Sequence, residues 1–214
     1  MKSSVVKTLP PLWLALFGLT TLLSARADSA GIDALMRAQK SADQQTSYRI
    51  RTTYTEVSGT TFVRTVEFVK PDHYHMLSDD SRGGGEVVVI GKDGYMRRGM
   101  SGAWHKSPSN LGTMMAQARG GGLTKEALAS STVTQIGPSS LGGVPMMVYA
   151  VTYAVNNIKS TGKLWVGDAD NLPRHAESDV ELPVTKLGGK SFGGKSHVVT
   201  VWEYNLKLEI KAPL

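Results

Sequence analysis

Residues 161–181, TGKLWVGDADNLPRHAESDVE, decide the fold. Lys163 to Val166 alternates long polar and apolar side chains with β-branched and aromatic content, as a strand does. Gly167 to Pro173 then gathers Gly, Asp, Asn and Pro, each a turn former for its own reason. Arg174 to Glu181 resumes an extended pattern. A lone hairpin is at best marginally stable in water. This one needs a larger sheet, and the flanking sequence supplies it.

Upstream, a period of two dominates. Tyr48, Ile50, Thr52 and Tyr54 fall on one face, and Arg49, Arg51, Thr53 and Thr55 on the other, which is a half-buried strand. Ser58-Gly59 turns the chain into a second strand, where Phe62, Val66 and Phe68 alternate with Thr65 and Glu67. Pro71-Asp72 turns it again, and Tyr74 and Met76 mark a third strand. After a glycine-rich loop at 79–85, Val87 to Ile90 is continuously apolar. Lys92-Asp93-Gly94 is a hairpin turn, and Tyr95 to Arg98 pairs back. Downstream, Thr132 to Ile136 is extended, and Met147, Tyr149, Val151, Tyr153 and Val155 share a face after Gly142-Gly143. A Gly/Lys/Ser-rich loop at 187–196 leads into the last strand or two, Val198 to Ile210.

Three helical patterns accompany the strands, one before them and two between the two groups. Ser29 to Gln44 carries Ile32, Leu35, Met36 and Gln39 as an apolar stripe. Asn110 to Arg119 places Leu111, Met114, Met115 and Ala118 on one stripe, and Leu123 to Ser130 is a second short helix beyond Gly120-Gly121-Gly122. No repeat or linker divides the chain. These patterns predict an α+β domain: one strongly curved antiparallel sheet of ten or eleven strands, with helices at one end.

The first 27 residues stand apart. Lys2 and Lys7 form a basic start, Leu12 to Leu23 a short apolar core, and Ala25-Arg26-Ala27 a cleavage site before Asp28. This is the pattern of a secretory signal peptide. Its apolar run is shorter than the roughly 20 residues a spanning helix needs. Residues 28–214 are then a single domain of 187 residues. The removed segment carries three cations and no acid, so the net charge of +6 becomes +3. A mildly basic domain gives no argument for nucleic acid. There is no Cys, hence no disulfide and no lipidated cysteine after the signal. The expected address is the periplasm, as a soluble monomer.

Several motifs, in order, resemble the periplasmic LolA/LolB-like superfamily of lipoprotein carriers and outer-membrane lipoprotein-sorting proteins. They are the amphipathic lead-in helix, the strand ending Val69-Lys-Pro-Asp-His-Tyr-His75, and Ile90-Gly-Lys-Asp-Gly-Tyr95 followed by Trp104. Lys163-Leu-Trp-Val-Gly-Asp168 with Asn171-Leu-Pro-Arg174 resembles the family's hairpin, and Tyr204-Asn205 through Ile210-Lys-Ala-Pro213 its ending. The resemblance implies an incomplete, half-open β-barrel with lid helices at its mouth, and an apolar cavity for acyl chains. The three-glycine joint, the 187–196 loop and the His-Tyr-His strand depart from the carrier's pattern.

Three classes of site chemistry bear on the sequence. For catalysis, the sequence has no Cys nucleophile, no G-x-S-x-G and no H-E-x-x-H, and nothing in the spacing of its five His selects a triad. No enzyme and no cofactor are expected. For metal, His73 and His75 project from one strand face, where imidazoles with Asp72 could hold Zn²⁺ or Cu²⁺. No third ligand is placed, so a solvent-facing pair is preferred over a metal site. For binding, the apolar face carries Tyr48, Ile50, Tyr54, Phe62, Val66, Phe68, Tyr74, Met76, Met147, Tyr149, Val151 and Tyr153. Tyr has an apolar body with a polar tip, and Met adapts to varied shapes, so both suit a cavity wall. Leu111, Met114, Met115 and Ala118 are the expected lid. Burying an acyl chain there gains about 0.8 kcal/mol per CH₂. The expected function is a binding or carrier protein for lipid, lipoprotein acyl chains or another apolar ligand, with a membrane-bound partner protein as a further candidate. The alternatives are a sensor or regulatory protein–protein module, and metal binding through His73 and His75.

Overall fold

The computed structural model describes residues 29–80, 84–107, 111, 130–155, 157–187 and 190–213. The signal segment and most of the two mid-chain helical patterns, with Met114, Met115 and Ala118, lie outside the described residues. A helix, α1 (Ser29–Gln44), leads in. Five strands follow as a meander: β1 (Ser47–Glu56), β2 (Thr61–Val69), β3 (His73–Asp79), β4 (Gly85–Ile90) and β5 (Asp93–Arg98), with a two-residue β6 (His105–Lys106) beyond. The second group is β7 (Ser131–Leu141), β8 (Val144–Val155), β9 (Ile158–Gly167), β10 (Pro173–Leu187) and β11 (Lys190–Tyr204).

All neighbours pair antiparallel in one sheet of order β6-β5-β4-β3-β2-β1-β11-β10-β9-β8-β7. The two meanders are joined by β1 and β11, with Tyr48 opposite Tyr204 and Glu56 opposite Ser196. No pairing among the described residues joins β6 to β7, so the curved sheet is an open barrel.

The hairpin at 161–181 has the expected form. Asn171 takes a positive φ of 55°, and its amide donates to the Gly167 carbonyl at 2.9 Å. The Leu172 amide donates to Asp170 Oδ1 at 2.9 Å, an Asx turn. Asp170 also pairs with Arg174. A side chain at Gly167 would run into that Asp170 carboxylate and displace it from the Asx turn.

Two expectations are corrected. The apolar stripe of α1 is rotated: Gly31, Ala34, Leu35 and Ala38 are buried, whereas Met36 is 52% exposed. Small residues win because they let the helix lie close on the sheet. A Cβ at Gly31 would sit 2.8 Å from the Val133 carbonyl oxygen. The segment 187–196 is not simply a loop. β10 runs to Leu187 and β11 begins at Lys190. The ladder shifts register between Leu182 and Thr185, beside Pro183, which has no N–H to give it. The other end of β11 stops at Tyr204, and residues 206–213 run on without strand pairing.

Candidate functional site: the concave face

The strand registers put all twelve apolar candidates on one face. Tyr48, Phe68, Tyr74 and Val89 form one row across β1 to β4, continued by Tyr204 on β11. Their rings touch in series: Tyr74 to Phe68 at 4.9 Å, Phe68 to Tyr48 at 5.0 Å, and Tyr48 to Tyr204 at 6.3 Å between centroids. The next row is Ile50, Val66, Met76, Val87 and Met96. Tyr54 stacks on Phe62 at 4.5 Å, with the planes 8° apart. Tyr149, Val151 and Tyr153 occupy the same face of β8, since Tyr54, Val198, Ser178, Gly162 and Val151 are successive register partners.

The face has two unlike halves. Over β7 to β10, α1 seats Ala34, Leu35 and Ala38 into a cluster with Val133, Tyr149, Val151, Leu164, Val166 and Ala176, and Met147 and Trp202 pack against it. Over β1 to β5, Phe68, Tyr74 and Val89 are buried, with Tyr48, Val87 and Leu111 against them. Leu111 is the one expected lid residue within the described set, and it lies over Gly94, where a Cβ would approach it to 3.0 Å. The row beside it stays partly open: Ile50, Met76 and Val87 are half-buried and Met96 is 43% exposed. A third cluster joins Tyr54, Val180 and Val198 with Phe62, Ile158 and Leu182. An open depression at one end of the face is lined by Ser78, Asp79, Asp80, Gly84, Arg98, Gly99 and Met100.

Polar residues that the apolar pattern does not mark also lie on this face. Arg64 shares the parity of Phe62 and Val66, opposite Thr52 and Ser78, and so points inward. Its guanidinium lies 5.7 Å from the Tyr54 ring centroid. Burial pushes the Tyr54 hydroxyl up in pKa, and the Arg64 cation opposes this. Thr200 and Thr52 share a hydrogen bond of 3.3 Å beneath the same region. Ser160 and Ser178 are also fully buried here. The signal was available, because counting by two from Phe62 reaches Arg64.

The convex face carries a different pattern. Arg49 donates from Nε to Glu67 at 2.8 Å and reaches Glu203 at 3.4 Å. His75 lies between two carboxylates, with Nδ1 3.1 Å from Glu67 and Nε2 2.6 Å from Glu86. Arg97 donates from Nε to Glu86 at 2.7 Å, and its cation lies 4.9 Å from the Trp104 ring centroid. Burial pushes the Glu67 carboxyl up, but bonds from His75 and Arg49 outweigh it and hold the group below the usual carboxylate range. Both imidazole nitrogens of His75 thus lie within hydrogen-bond distance of carboxylate oxygens. His73 is 3.9 Å from Asp72. Among the described residues, no group of three or more His, Cys, Asp or Glu is arranged to hold a metal ion.

The described residues thus build an open antiparallel barrel with α1 seated on its concave face. Among solved structures the chain is similar to lipoprotein LppX of Mycobacterium tuberculosis, with 13% identity and a TM-score of 0.58, over 86% of this chain and 100% of LppX. It is also similar to MucB, known too from its Pseudomonas aeruginosa complex with MucA. There the identity is 18% and the TM-score 0.49, over 86% of this chain, which spans 63% of MucB. A LolA-superfamily protein from Nitrosomonas europaea matches at 11% identity and a TM-score of 0.30, over 84% of this chain and 94% of that one. At such identities the likeness speaks to the fold. No family model matches the sequence. No curated protein matches it either.

Proposed function

We propose that this protein is an exported binding or carrier protein that holds an apolar ligand, lipid or lipoprotein acyl chains, on its concave face and performs no chemistry on it. The observation that carries the reading is the unequal cover of that face. α1 fills the β7–β10 half, while the row Ile50, Met76, Val87 and Met96 stays partly open beside Leu111. Half-exposed apolar side chains arranged as one continuous wall are a binding surface more readily than a finished core. Met76 and Met96 give that wall a deformable end. The segment beginning at Leu111 is the gate in this reading, and residues 1–27 direct export and are removed after Ala27. A fluorescent fatty-acid probe should bind the protein and be displaced by phospholipid. Absence of probe binding at micromolar protein overturns the carrier reading.

A second reading is a protein-docking module. It draws on Ile136, Leu141 and Val144, exposed large apolar residues around the β7–β8 hairpin at the sheet edge. Native mass spectrometry of the purified protein separates the two, since a lipid adduct supports the first and a partner retained without lipid the second.

A further inference from the structure

The open row of the concave face ends in a methionine that solvent reaches. Met76, Val87 and Met96 are successive register partners across β3, β4 and β5. Met96 is the outermost of the three and is 43% exposed. Its partner on the far side is His105 of the two-residue β6, itself exposed. Two residues earlier on the same face of β5 is Gly94, the residue that Leu111 covers. Met96 thus stands at the rim of the apolar wall, beside the residue under Leu111.

That position matters because of sulfur chemistry. The chain has no Cys, so thioethers are its only side-chain sulfur. Oxidation of an accessible thioether to the sulfoxide exchanges a flexible apolar side chain for a polar one. The other described methionines lack either the exposure or the place. Met36 on the outer side of α1, and Met100 beyond the end of β5, are as exposed but stand off the wall. Met146 is 1% exposed, and Met76 and Met147 are half-buried. Among the described methionines, Met96 alone is both exposed and part of the open row.

We propose that Met96 is an oxidation site through which the protein releases its apolar ligand. One oxygen atom passes from hydrogen peroxide to the Met96 sulfur. The sulfur loses two electrons and becomes a sulfoxide, and the peroxide is reduced to water. A hydrocarbon chain laid on the row then strips the sulfoxide oxygen of water and offers it no hydrogen bond in return. This rests on the apolar-ligand reading and adds regulation to it: the wall holds its ligand while Met96 is reduced.

The test titrates a fluorescent fatty-acid probe before and after hydrogen peroxide treatment, with the added oxygen located by peptide mass spectrometry. Met96 should be oxidised before Met76 and Met146. Probe affinity should fall about tenfold or more, the scale of covering one unpaired polar group. The two methionine sulfoxide reductases, one for each sulfoxide epimer, should restore it. Met96→Leu, compared with itself, should bind the probe equally before and after peroxide. The double variant Met36→Leu/Met100→Leu should lose affinity as the wild type does. Absence of probe binding to the untreated protein removes the apolar-ligand reading and the oxidation site with it. Complete oxidation of Met96 with unchanged affinity overturns the oxidation site and leaves the apolar-ligand reading standing. An equal loss in Met96→Leu also overturns it, because other methionines then carry the effect. So does loss of the fold, followed by circular dichroism, on the same treatment. The wild-type comparison before and after peroxide does not depend on any variant folding.

Discussion

Replacing Gly31 by Leu tests how α1 sits on the sheet. Helix propensity favours the change by roughly 1 kcal/mol, because glycine is among the poorest residues in a helix interior. The structure opposes it. A Cβ at residue 31 would lie 2.8 Å from the Val133 carbonyl oxygen, 2.9 Å from its Cγ1 and 3.1 Å from its Cβ. The nearest of these is backbone, and Val133 is itself fully buried, so the strand has no room to retreat. The helix must lift instead. Lifting costs part of the burial of Leu35, about 1.5–3 kcal/mol for a fully buried side chain, together with contacts of Ala34 and Ala38. Set against the propensity gain, the net loss should be about 2 kcal/mol, on the scale of overpacked cores. For a domain of this size that lowers the melting temperature by roughly 4–8 °C. Urea denaturation followed by tryptophan fluorescence is the natural assay, because Trp202 packs against the same cluster. Met36→Leu on the exposed side of the helix is the control and should stay within about 0.5 kcal/mol of wild type. A Gly31→Leu protein as stable as wild type, or more so, would refute the close seating of α1.

Two further outcomes follow from the sheet. Phe68 is fully buried between Tyr48 and Tyr74, so Phe68→Ala should cost about 3–5 kcal/mol in denaturant stability, whereas loss below 1 kcal/mol would mean the ring row is not packed as described. Glu67 is held below its ordinary carboxyl pKa in the fold, so its contribution is full above the unfolded-state value of about 4.5 and is lost as pH falls through the lower folded value. The stability difference between wild type and Glu67→Gln should therefore be largest near pH 7 and shrink steadily toward pH 3; a difference that grows on acidification would contradict the ion-pair ladder.

The ladder explains why the His-Tyr-His strand looked like a metal motif. His75 has a carboxylate on either side, but both come from neighbouring strands, and Arg49 and Arg97 already neutralise them. A sequence shows the two imidazoles two residues apart. It does not show that Glu67 and Glu86 flank one of them, because that depends on the registers of β2 and β4 against β3.

Much was decided by the sequence alone, through the period of two. Alternation obliges Tyr48, Ile50 and Tyr54, or Tyr149, Val151 and Tyr153, to share a face wherever the strand lies. It also fixed the hairpin at 161–181, because Asn171, Asp170 and Gly167 satisfy their turn locally. The span of α1 was legible from its periodicity. Its buried side was not, because Gly31, Ala34 and Ala38 carry little hydropathy and matter only for how closely they let a backbone approach. Only the tertiary structure joined Tyr54 to Val198 and Ser178, residues more than 100 positions apart whose pairing is set by long-range register. That pairing turned separate strand faces into one wall. It left α1 over one half and an open row over the other, and it brought Arg64 and the buried hydroxyls beside the apolar clusters.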